Sequence, residues 1–409
     1  MRIAFFSCQD WMAGFYGAHA DLAARDDIDV VVCLGDYVYE RAYISATDRN
    51  PPVRADDTAE GGETQTLEEY RRKYALYHSD PDLQAVRARH PIVAIWDDHE
   101  VEDNYADREP GGATRVRRIS FLERRANSYR AFFEHMPRLR RPEEPDRIYG
   151  SLPLGAAEIF FLDTRQYRSE QPCKGANRLL LDFPCLSPEV GRPDRTLLGA
   201  AQLGWLKDGL SRSSATWKVI ANQVMIMSLD LLPRIPLNVD SWDGYPVERR
   251  ELIDHIAADG IRDVTFITGD IHTFFAGSVT RTGHRISRDG SLSAIDGPPR
   301  ATEFVGGAIS SPGLVDRWAG PGETERVFQA HGLDQLAMVM NQHLAYVNQA
   351  YKGYGVMEAG EAGLTVEFRA VRDARVPGSP CFTLRRFSVA RGSAHVVDEG
   401  GPAIPLRYS

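Results

Sequence analysis

The sequence predicts a mixed α/β fold whose central strands pair mostly in parallel. Short apolar runs that are rich in β-branched residues recur along the 409-residue chain, as they do in proteins with buried strands. Helical patterns lie between several of these runs, and alternation of strands with helices is typical of parallel sheets. No internal repeat or linker-like segment divides the sequence, so we expect one large domain over 1–409.

Six segments have the length and composition of buried strands, and each ends in a polar group. They are 2–8 (RIAFFSC), 29–36 (DVVVCLGD), 91–98 (PIVAIWDD), 158–165 (EIFFLDTR), 217–223 (WKVIANQ) and 264–270 (VTFITGD).

Three segments predict helices beside these strands. In the first of them, Thr66 and Glu69 have the spacing of a capping box. Tyr70, Tyr74 and Tyr77 fall on one face of the same helix, so we expect them in the core. The three helical segments are 66–90, 197–210 and 247–260.

The pattern changes after about residue 300. The segments 364–371 and 383–390 resemble strands of an antiparallel or mixed extension, and 399–409 reads as an extended strap. The loops 41–65 and 106–116 are rich in Gly, Pro, Asp and Arg, and we expect loops of this length to shape access for a substrate.

Composition narrows the classes of function. The net charge of −9 argues against stable nucleic-acid binding, and no apolar stretch approaches the ~20 residues of a membrane span. The first residues lack the apolar core of a signal peptide, which predicts a cytoplasmic protein, or an exported one if the N-terminus has been trimmed. Arginines are dense between Arg115 and Arg141. They form either the basic face of a solvated helix or a funnel for anionic substrates.

The five cysteines form no CxxC motif and no Cys/His zinc framework. Cys173 and Cys185 flank a loop and could pair in an oxidising compartment, whereas a cytosolic chain would keep them as free thiols. The sequence does not indicate an oligomeric state.

Metal-binding groups follow five of the predicted strands. Ligands of open α/β sheets bind beyond the carboxyl ends of the strands, so these groups should meet at one edge. A single acid after a strand is usually a turn residue or helix cap, but five such ends together predict a shared metal site. The groups are Cys8, Asp36 with Tyr39, Asp97-Asp98-His99, Asn222-Gln223, and Asp270 with His272.

The residue types indicate which cations would bind. Carboxylate and amide oxygens suit hard cations, while imidazole and thiolate suit iron or zinc. Free tyrosine has a pKa of ~10, so ligation by Tyr39 near neutral pH needs a strong Lewis acid such as ferric iron. Two structural alternatives remain open: Tyr39 as a hydrogen-bonded phenol in a pocket wall, and Cys8 as a buried apolar side chain.

These residues lie in motifs that make the sequence resemble the PhoD-type alkaline phosphatase/phosphodiesterases of the calcineurin-like metallophosphoesterase superfamily. The motifs follow one another in order over nearly the whole chain. They are FSCQDW, LGDYVYE, TLEEYRRKYALYHSDPDL, WDDHEVEDNYA, YRAFFEHMP, LDTRQYR, TLLGAAQLGWL, DSWDGYPVERR, TGDIHTFFAG, EFVGGAISSPG and KGYGVMEAG.

The resemblance implies a four-layer α/β/β/α metallophosphoesterase sandwich with two central mixed sheets. Residues from about 300 to 409 would complete the second sheet and form a C-terminal strap. The N-terminal β-sandwich domain and the export signal that are usual in the family have no counterpart in this sequence.

The resemblance also implies a metal centre that joins Fe3+ to Ca2+, with Zn2+, Mn2+ or Mg2+ as alternative cations. The iron would be bound by Cys8, Asp36, Tyr39 and His272. Asp36 and Asp270 would reach the calcium, with further oxygen ligands from the segment WDDHEVEDNYA. Asp98, Asn104 and Asn222 are the further candidate metal ligands. Asp98 stands where much of the superfamily has asparagine, and Lys352 stands where the family commonly has arginine.

The function that follows is hydrolysis of small phosphate monoesters or diesters by a metal-bound hydroxide. His99 would either protonate the leaving group or orient a metal ligand. Arg165 and Arg168 would either bind phosphate or pair with carboxylates. A non-catalytic metal-dependent binding protein is the alternative. The sequence has no GxSxG elbow, P-loop or GxGxxG motif to support a serine hydrolase or a nucleotide-binding module.

Overall fold

The computed structural model of the chain describes residues 1–112, 114, 116–173, 187–232, 235–281, 285–286, 292–293, 297–319 and 322–401. The strands in chain order are β1 (Arg2–Phe6), β2 (Val30–Cys33), β3 (Ile92–Ala94), β4 (Gly150–Leu154), β5 (Ala157–Phe161), β6 (Trp217–Asn222), β7 (Asp230–Leu232), β8 (Ile235–Pro236), β9 (Val264–Thr268), β10 (Phe274–Val279), β11 (Arg285–Ile286), β12 (Leu292–Ser293), β13 (Ala301–Gly306), β14 (Leu344–Asn348), β15 (Lys352–Ala359), β16 (Gly363–Val371), β17 (Cys381–Ala390) and β18 (Val397–Gly400). The helices are α1 (Gly17–Ala23), α2 (Leu67–His78), α3 (Pro81–Arg89), α4 (Phe121–His135), α5 (Gly199–Arg212), α6 (Pro246–Ala258) and α7 (Glu323–Met340).

The first large sheet has the strand order β18-β17-β16-β15-β1-β2-β3. β1, β2 and β3 are parallel, with Ile3 opposite Val30 and Val31 opposite Ile92. β15 joins the other side of β1 in antiparallel register, and β16 to β18 continue the antiparallel half.

The second large sheet has the order β14-β10-β13-β9-β6-β5-β4. Its centre is parallel, because β5 pairs with β6, β6 with β9, and β9 with β13 in that sense. The strands β4, β10 and β14 are antiparallel to their neighbours. All six strands predicted from the sequence therefore lie in the parallel parts of the two sheets.

Two apolar cores hold four layers together. One core contains the facing side chains of both sheets and those of the helices α1 to α4, including the buried Tyr70, Tyr74 and Tyr77. The other lies between the second sheet and the helices α5 and α6, where Leu206 and Leu252 are fully buried. The predicted four-layer sandwich with two central mixed sheets is thereby confirmed.

The first predicted helical segment contains two helices. Thr66 and Glu69 form the expected capping box at the start of α2, with the Glu69 carboxylate accepting from the Thr66 amide at 2.9 Å. The Asp80 carboxylate then accepts from the amides of Asp82 and Leu83 and caps α3, whose first residue is Pro81. A proline is favoured at the start of a helix and not in its interior, so the pattern divides there.

Residues beyond 300 supply strands to both sheets. β13 and β14 belong to the second sheet, whereas β15 to β18 form half of the first. The expectation that this region completes the second sheet therefore differs from the arrangement, because β15 pairs with β1 instead. Of the expected strap, residues 402–409 lie outside the described residues.

The arginine-rich segment is largely paired with carboxylates. Arg118 contacts Glu69, Arg124 contacts Glu102, and Arg130 contacts Glu134. These contacts support the helix alternative, although Arg115 lies outside the described residues. Among the described helices, none has the length and apolar character needed to cross a membrane.

Candidate metal centre

The strand ends that face each other carry unusual backbone conformations. Non-glycine residues with positive φ are uncommon, and each such conformation costs on the order of 1–3 kcal/mol. Among the described residues, eight non-glycine residues have positive φ, and five of them are predicted site residues. These are Cys8 (58°), Asp36 (52°), Asn104 (58°), Asp270 (65°) and His272 (56°). Local strain at residues from both sheets indicates a functional site at their junction.

Four predicted iron ligands converge in one cluster. The Tyr39 hydroxyl donates to Asp36 Oδ2 at 3.1 Å and lies 3.1 Å from His272 Nε2. The Cys8 thiol lies 3.5 Å from the same Asp36 oxygen. His272 Nδ1 lies 2.9 Å from the carbonyl oxygen of Pro312, which turns Nε2 toward the cluster. Thiol, carboxylate, phenol and imidazole are thus brought together from three chain segments, which follow β1, β2 and β9.

Asp36 connects this cluster to a second one made of acids. Its carboxylate lies within 4.8 Å of ligand atoms of Cys8 and His272 on one side, and of Asp98 and His99 on the other. Asp97, Asp98 and Asp270 form a third group with the same spacing. Asp36 therefore has the position required of a carboxylate shared by two cations.

Arg165 and Arg168 lie behind these acids and have no exposed side-chain surface. The Arg165 guanidinium contacts Asp97, lies 2.7 Å from Asp240, and lies within 3.6 Å of both Asp98 and Asp270. Arg168 contacts Asp240 at 3.1 Å. These contacts support carboxylate pairing over phosphate binding for both arginines.

Charge crowding shifts the pKa values of the acids. Burial, reinforced by neighbouring carboxylates, raises the pKa of Asp36 and of Asp270 well above the usual range. Burial likewise raises the pKa of Asp97 to about 6, against the effect of Arg165. A bound cation would reverse these shifts, because it would stabilise the ionised carboxylates.

His272 has the protonation state that a metal ligand needs. Burial, reinforced by the nearby Lys352 ammonium, lowers the pKa of its imidazole to about 3. The ring is therefore neutral over the physiological range, as coordination requires.

His99 is held in place by an acid and two aromatic rings. Its Nδ1 lies 2.9 Å from Glu40 Oε2, and its ring stacks on Tyr39 with the ring centroids 4.2 Å apart. Tyr43 meets the other side of the ring edge-on. Burial disfavours the imidazolium, but Asp98, Asp36 and Glu40 outweigh burial and raise the pKa of His99 well above its usual value. His99 is thus a cation with Nε2 available to the site.

The two predicted asparagine ligands occupy different positions. The Asn104 amide N–H donates to Asp98 Oδ2 at 2.6 Å, so Asn104 adjoins the acidic group. Asn222 lies at the end of β6 beside Thr268, two residues before Asp270, but its buried side chain contacts Val224 and Trp242.

Several residues of the site were not predicted from the sequence. Glu100 accepts hydrogen bonds from the amides of Asp36, Tyr37 and Asp97 and joins the loops after β2 and β3. Asp240 anchors Arg165, and Glu40 anchors His99. Glu40 follows Tyr39 and Glu100 follows His99, so their positions in the sequence could have indicated a role at the site. Nothing in the sequence relates Asp240 to Arg165.

The donor atoms fit a pair of cations. Asp97 Oδ2 and Asp98 Oδ1 are buried, and within the described residues they have no hydrogen-bond partner. A buried acceptor without a donor is rare and needs an explanation, such as an ion. The soft and nitrogen donors around Cys8 suit iron, and the oxygen-only group around Asp98 and Asp270 suits a hard cation such as calcium.

The described cysteines other than Cys173 are free, namely Cys8, Cys33 and Cys381. Cys173 is disulfide-bonded. Cys185, its candidate partner in the sequence, lies outside the described residues.

Comparison with known proteins shows which proteins the chain resembles. The chain is 34% identical over 398 residues to alkaline phosphatase D of Bacillus subtilis (strain 168). That match includes 95% of this chain but 62% of the relative, so the chain spans less than two thirds of the relative's length. The solved structure of PhoD matches 99% of this chain and 72% of its own with a TM-score of 0.82 and 31% identity.

A second solved structure, purple acid phosphatase PPD1 from yellow lupin (Lupinus luteus) seeds, aligns with 100% of this chain and 57% of its own at a TM-score of 0.49 and 11% identity. That similarity is too low to support any conclusion about this chain. The PhoD-like phosphatase family matches residues 3–368. The chain therefore belongs to the PhoD-like phosphatase family.

Proposed function

We propose that the chain is a metal-dependent phosphoric ester hydrolase that acts on small phosphate monoesters, diesters or both. The observation that carries the proposal is the convergence of Cys8, Asp36, Tyr39 and His272 next to the acidic group of Asp97, Asp98 and Asp270. Membership of the PhoD-like phosphatase family supports the same reaction class.

In this proposal, Cys8, Asp36, Tyr39 and His272 hold Fe3+. Ca2+ would be held by Asp36, Asp98, Asp270 and the side chains of Asn104 and Asn222. The Asn222 side-chain oxygen now accepts from Trp242 Nε1 at 3.4 Å. When bound, the two cations would acidify water and neutralise charge on the phosphoryl oxygens.

The chain's own residues provide proton transfer and positioning. Glu40 occupies Nδ1 of His99, so the N–H at Nε2 is the one left to donate to a leaving-group oxygen. Stacking on Tyr39 fixes the plane of the ring. Arg165 does not touch substrate in this proposal, but keeps Asp97 and Asp240 in place behind the centre.

Metal content and colour test the proposal. Protein purified without chelator should contain about one iron per chain together with calcium, and it should show a visible charge-transfer band from Tyr39 or Cys8 bound to ferric iron. Tyr39→Phe and Cys8→Ser should shift or remove that band. Tyr43→Phe and Cys33→Ser are matched controls, because Tyr43 is partly buried, Cys33 is fully buried, and neither belongs to the metal cluster.

Hydrolysis of p-nitrophenyl phosphate and bis(p-nitrophenyl) phosphate then separates monoester from diester activity. A colourless protein that binds zinc would contradict the iron assignment and leave the reaction class in place. A fully metal-loaded protein that hydrolyses neither ester would overturn the proposed activity and favour the non-catalytic binding protein.

A further inference from the structure

A small pocket borders the proposed metal centre on the side of His272. Its wall includes Pro312, whose carbonyl oxygen lies 2.9 Å from His272 Nδ1, and Lys352, whose ammonium lies 3.4 Å from the His272 carbonyl oxygen. Ile44, the residue after Tyr43, also lines the pocket. The pocket therefore borders His272, a proposed metal ligand, on the side of its Nδ1 atom and its carbonyl oxygen.

Four cationic side chains line the pocket, together with the carboxylates of Asp316 and Asp373. The cations are Lys352, Arg326, Arg372 and Arg375. Three of these cations have a carboxylate partner: Lys352 contacts Asp316 at 2.8 Å, Arg326 contacts Asp373 at 3.3 Å, and Arg372 contacts Glu323 at 3.0 Å.

Arg375 differs from the other three cations. Its Nη1 donates to the neutral side-chain oxygen of Asn50 at 2.6 Å, and its Nε is buried without a hydrogen-bond partner within the described residues. No carboxylate in the described part of the chain forms an ion pair with it. A half-buried guanidinium with an unused donor favours an anionic oxygen group as its partner.

The position of Arg375 is fixed by the fold. It lies in the turn between β16 and β17, where its own amide donates to Asp373 Oδ1 at 2.9 Å. The Asn50 side chain, which holds Nη1, also donates to the Asp316 carbonyl oxygen at 2.6 Å. Arg375 is thus anchored by the long loop 41–65, for which the sequence predicts a role in substrate access.

We propose that this Arg375 pocket binds a second anionic group of the substrate. The preferred substrates would be phosphate esters whose alcohol part carries a carboxylate or a further phosphate. The pocket has about 40 Å³ of space for water-sized molecules, which fits such a group but not a sugar ring or a base. This inference rests on the proposed function, because it names the substrate class of the same site.

A matched pair of esters tests the pocket. Glycerol 3-phosphate and 3-phosphoglycerate have the same three-carbon chain, but only the second has a carboxylate. We expect wild type to have a higher kcat/KM for 3-phosphoglycerate than for glycerol 3-phosphate. Arg375→Gln should lower the ratio of these two kcat/KM values about tenfold, because loss of one charge-assisted hydrogen bond weakens binding by about that factor. The change should appear in KM. Arg375→Lys should recover part of the ratio. The control Arg386→Gln removes an exposed arginine and should keep the wild-type ratio.

Calorimetric binding of both esters to the metal-loaded wild-type protein and to its metal-loaded Arg375→Gln variant separates the two possible failures. If neither ester is hydrolysed but 3-phosphoglycerate binds more tightly than glycerol 3-phosphate only when Arg375 is present, the proposed reaction is wrong and the proposed role of the pocket is supported. If both esters are hydrolysed with a ratio that Arg375→Gln leaves unchanged, the pocket is wrong and the reaction stands. If the esters are not hydrolysed and their binding does not depend on Arg375, both proposals are overturned.

Discussion

Two buried glutamates support the centre without belonging to the proposed ligand sets. Glu100 joins the loops after β2 and β3 through three backbone amides, so that Asp36 and Asp97 face each other. Glu40 accepts from the Asp103 amide at 3.1 Å and lies 2.9 Å from His99 Nδ1. Residues of this kind determine the geometry of a metal site as much as its ligands do.

Replacing Glu40 by glutamine is expected to destabilise the metal-free protein by about 3 kcal/mol near pH 6, since a buried ion pair would lose one charge. The pKa of His99 lies well above its ordinary 6.5, and that of Glu40 lies below its ordinary 4.5. The pair therefore contributes fully between about pH 4.5 and 6.5, and the contribution of His99 is lost as the pH rises through its raised folded-state pKa.

Urea unfolding of wild type and Glu40→Gln at about pH 6 and pH 10 measures this dependence. The difference in free energy of unfolding should shrink at the higher pH. Glu60→Gln is the control, because the Glu60 side chain is 88% exposed. An equal difference at both pH values would show that His99 gains nothing from the charge of Glu40.

At the residue scale, the types of ligand could be predicted from the sequence, but the pairing of buried charges could not. The ligand types follow strands that could be predicted, so their meeting at one edge could be predicted as well. The network around Arg165 could not, because its partners Asp97, Asp240 and Asp270 are 68 to 105 positions away, and Asp97 follows a strand of the other sheet. The spacing of residues along a chain does not indicate which buried cation neutralises which acid.

At the scale of elements, β15 fixes the position of β1. The two strands pair with Phe5 opposite Gly355, and a Cβ atom added to Gly355 would collide with the Phe5 ring. β1 ends two residues before Cys8, so any shift of β1 moves a proposed iron ligand. A glycine in the middle of a strand is otherwise unfavourable, and here it is explained by this close approach.

Gly355→Ala is expected to lower the free energy of unfolding by about 2 kcal/mol, because the core would be overpacked at Phe5. Gly204→Ala in α5 should instead raise it by about 0.5–1 kcal/mol, since its Cβ would meet no atom within 4 Å and alanine favours a helix. Chemical unfolding of both variants measures the two effects. A Gly355→Ala protein as stable as Gly204→Ala would mean that the β1–β15 contact is looser than the structure indicates.

The strands could be predicted better than their pairing. The six buried strands were recognisable because each is a short apolar run that ends in a polar residue. The pairing of β1 with β15 was not recognisable, because about 350 residues separate them and both faces of such strands are apolar.

At the scale of the whole molecule, the acids of the proposed metal centre lower the stability of the metal-free protein. Asp36 and Asp270 have raised pKa values, so each ionised carboxylate opposes folding above the ordinary pKa of 3.8 when no cation is present. The contribution of such an acid to stability is present at low pH and is lost as the pH rises through its raised folded-state pKa. A cation that binds only the folded state would offset this loss.

Asp36→Asn is therefore expected to raise the free energy of unfolding of the metal-free protein by about 1–2 kcal/mol at neutral to alkaline pH. In the presence of iron and calcium the order should reverse, because the variant lacks the shared carboxylate. Thermal unfolding of wild type and Asp36→Asn, once with iron and calcium and once with chelator, measures the difference in stability under both conditions. An Asp36→Asn variant that is less stable than wild type under both conditions would show that the Asp36 carboxylate stabilises the fold even without a cation.

The pairing of the first strand with a strand about 350 positions later has a consequence for synthesis on the ribosome. Met1 bonds to Ala359, and Cys8 supports Ser310 and Ser311 through its carbonyl oxygen. β1 therefore leaves the ribosome long before β15 has been synthesised. The edge of β1 that pairs with β15 stays unpaired while most of the chain is translated. The proposed cations would then be inserted only after most of the chain has been translated, because β15 is needed to hold β1, the strand that precedes Cys8.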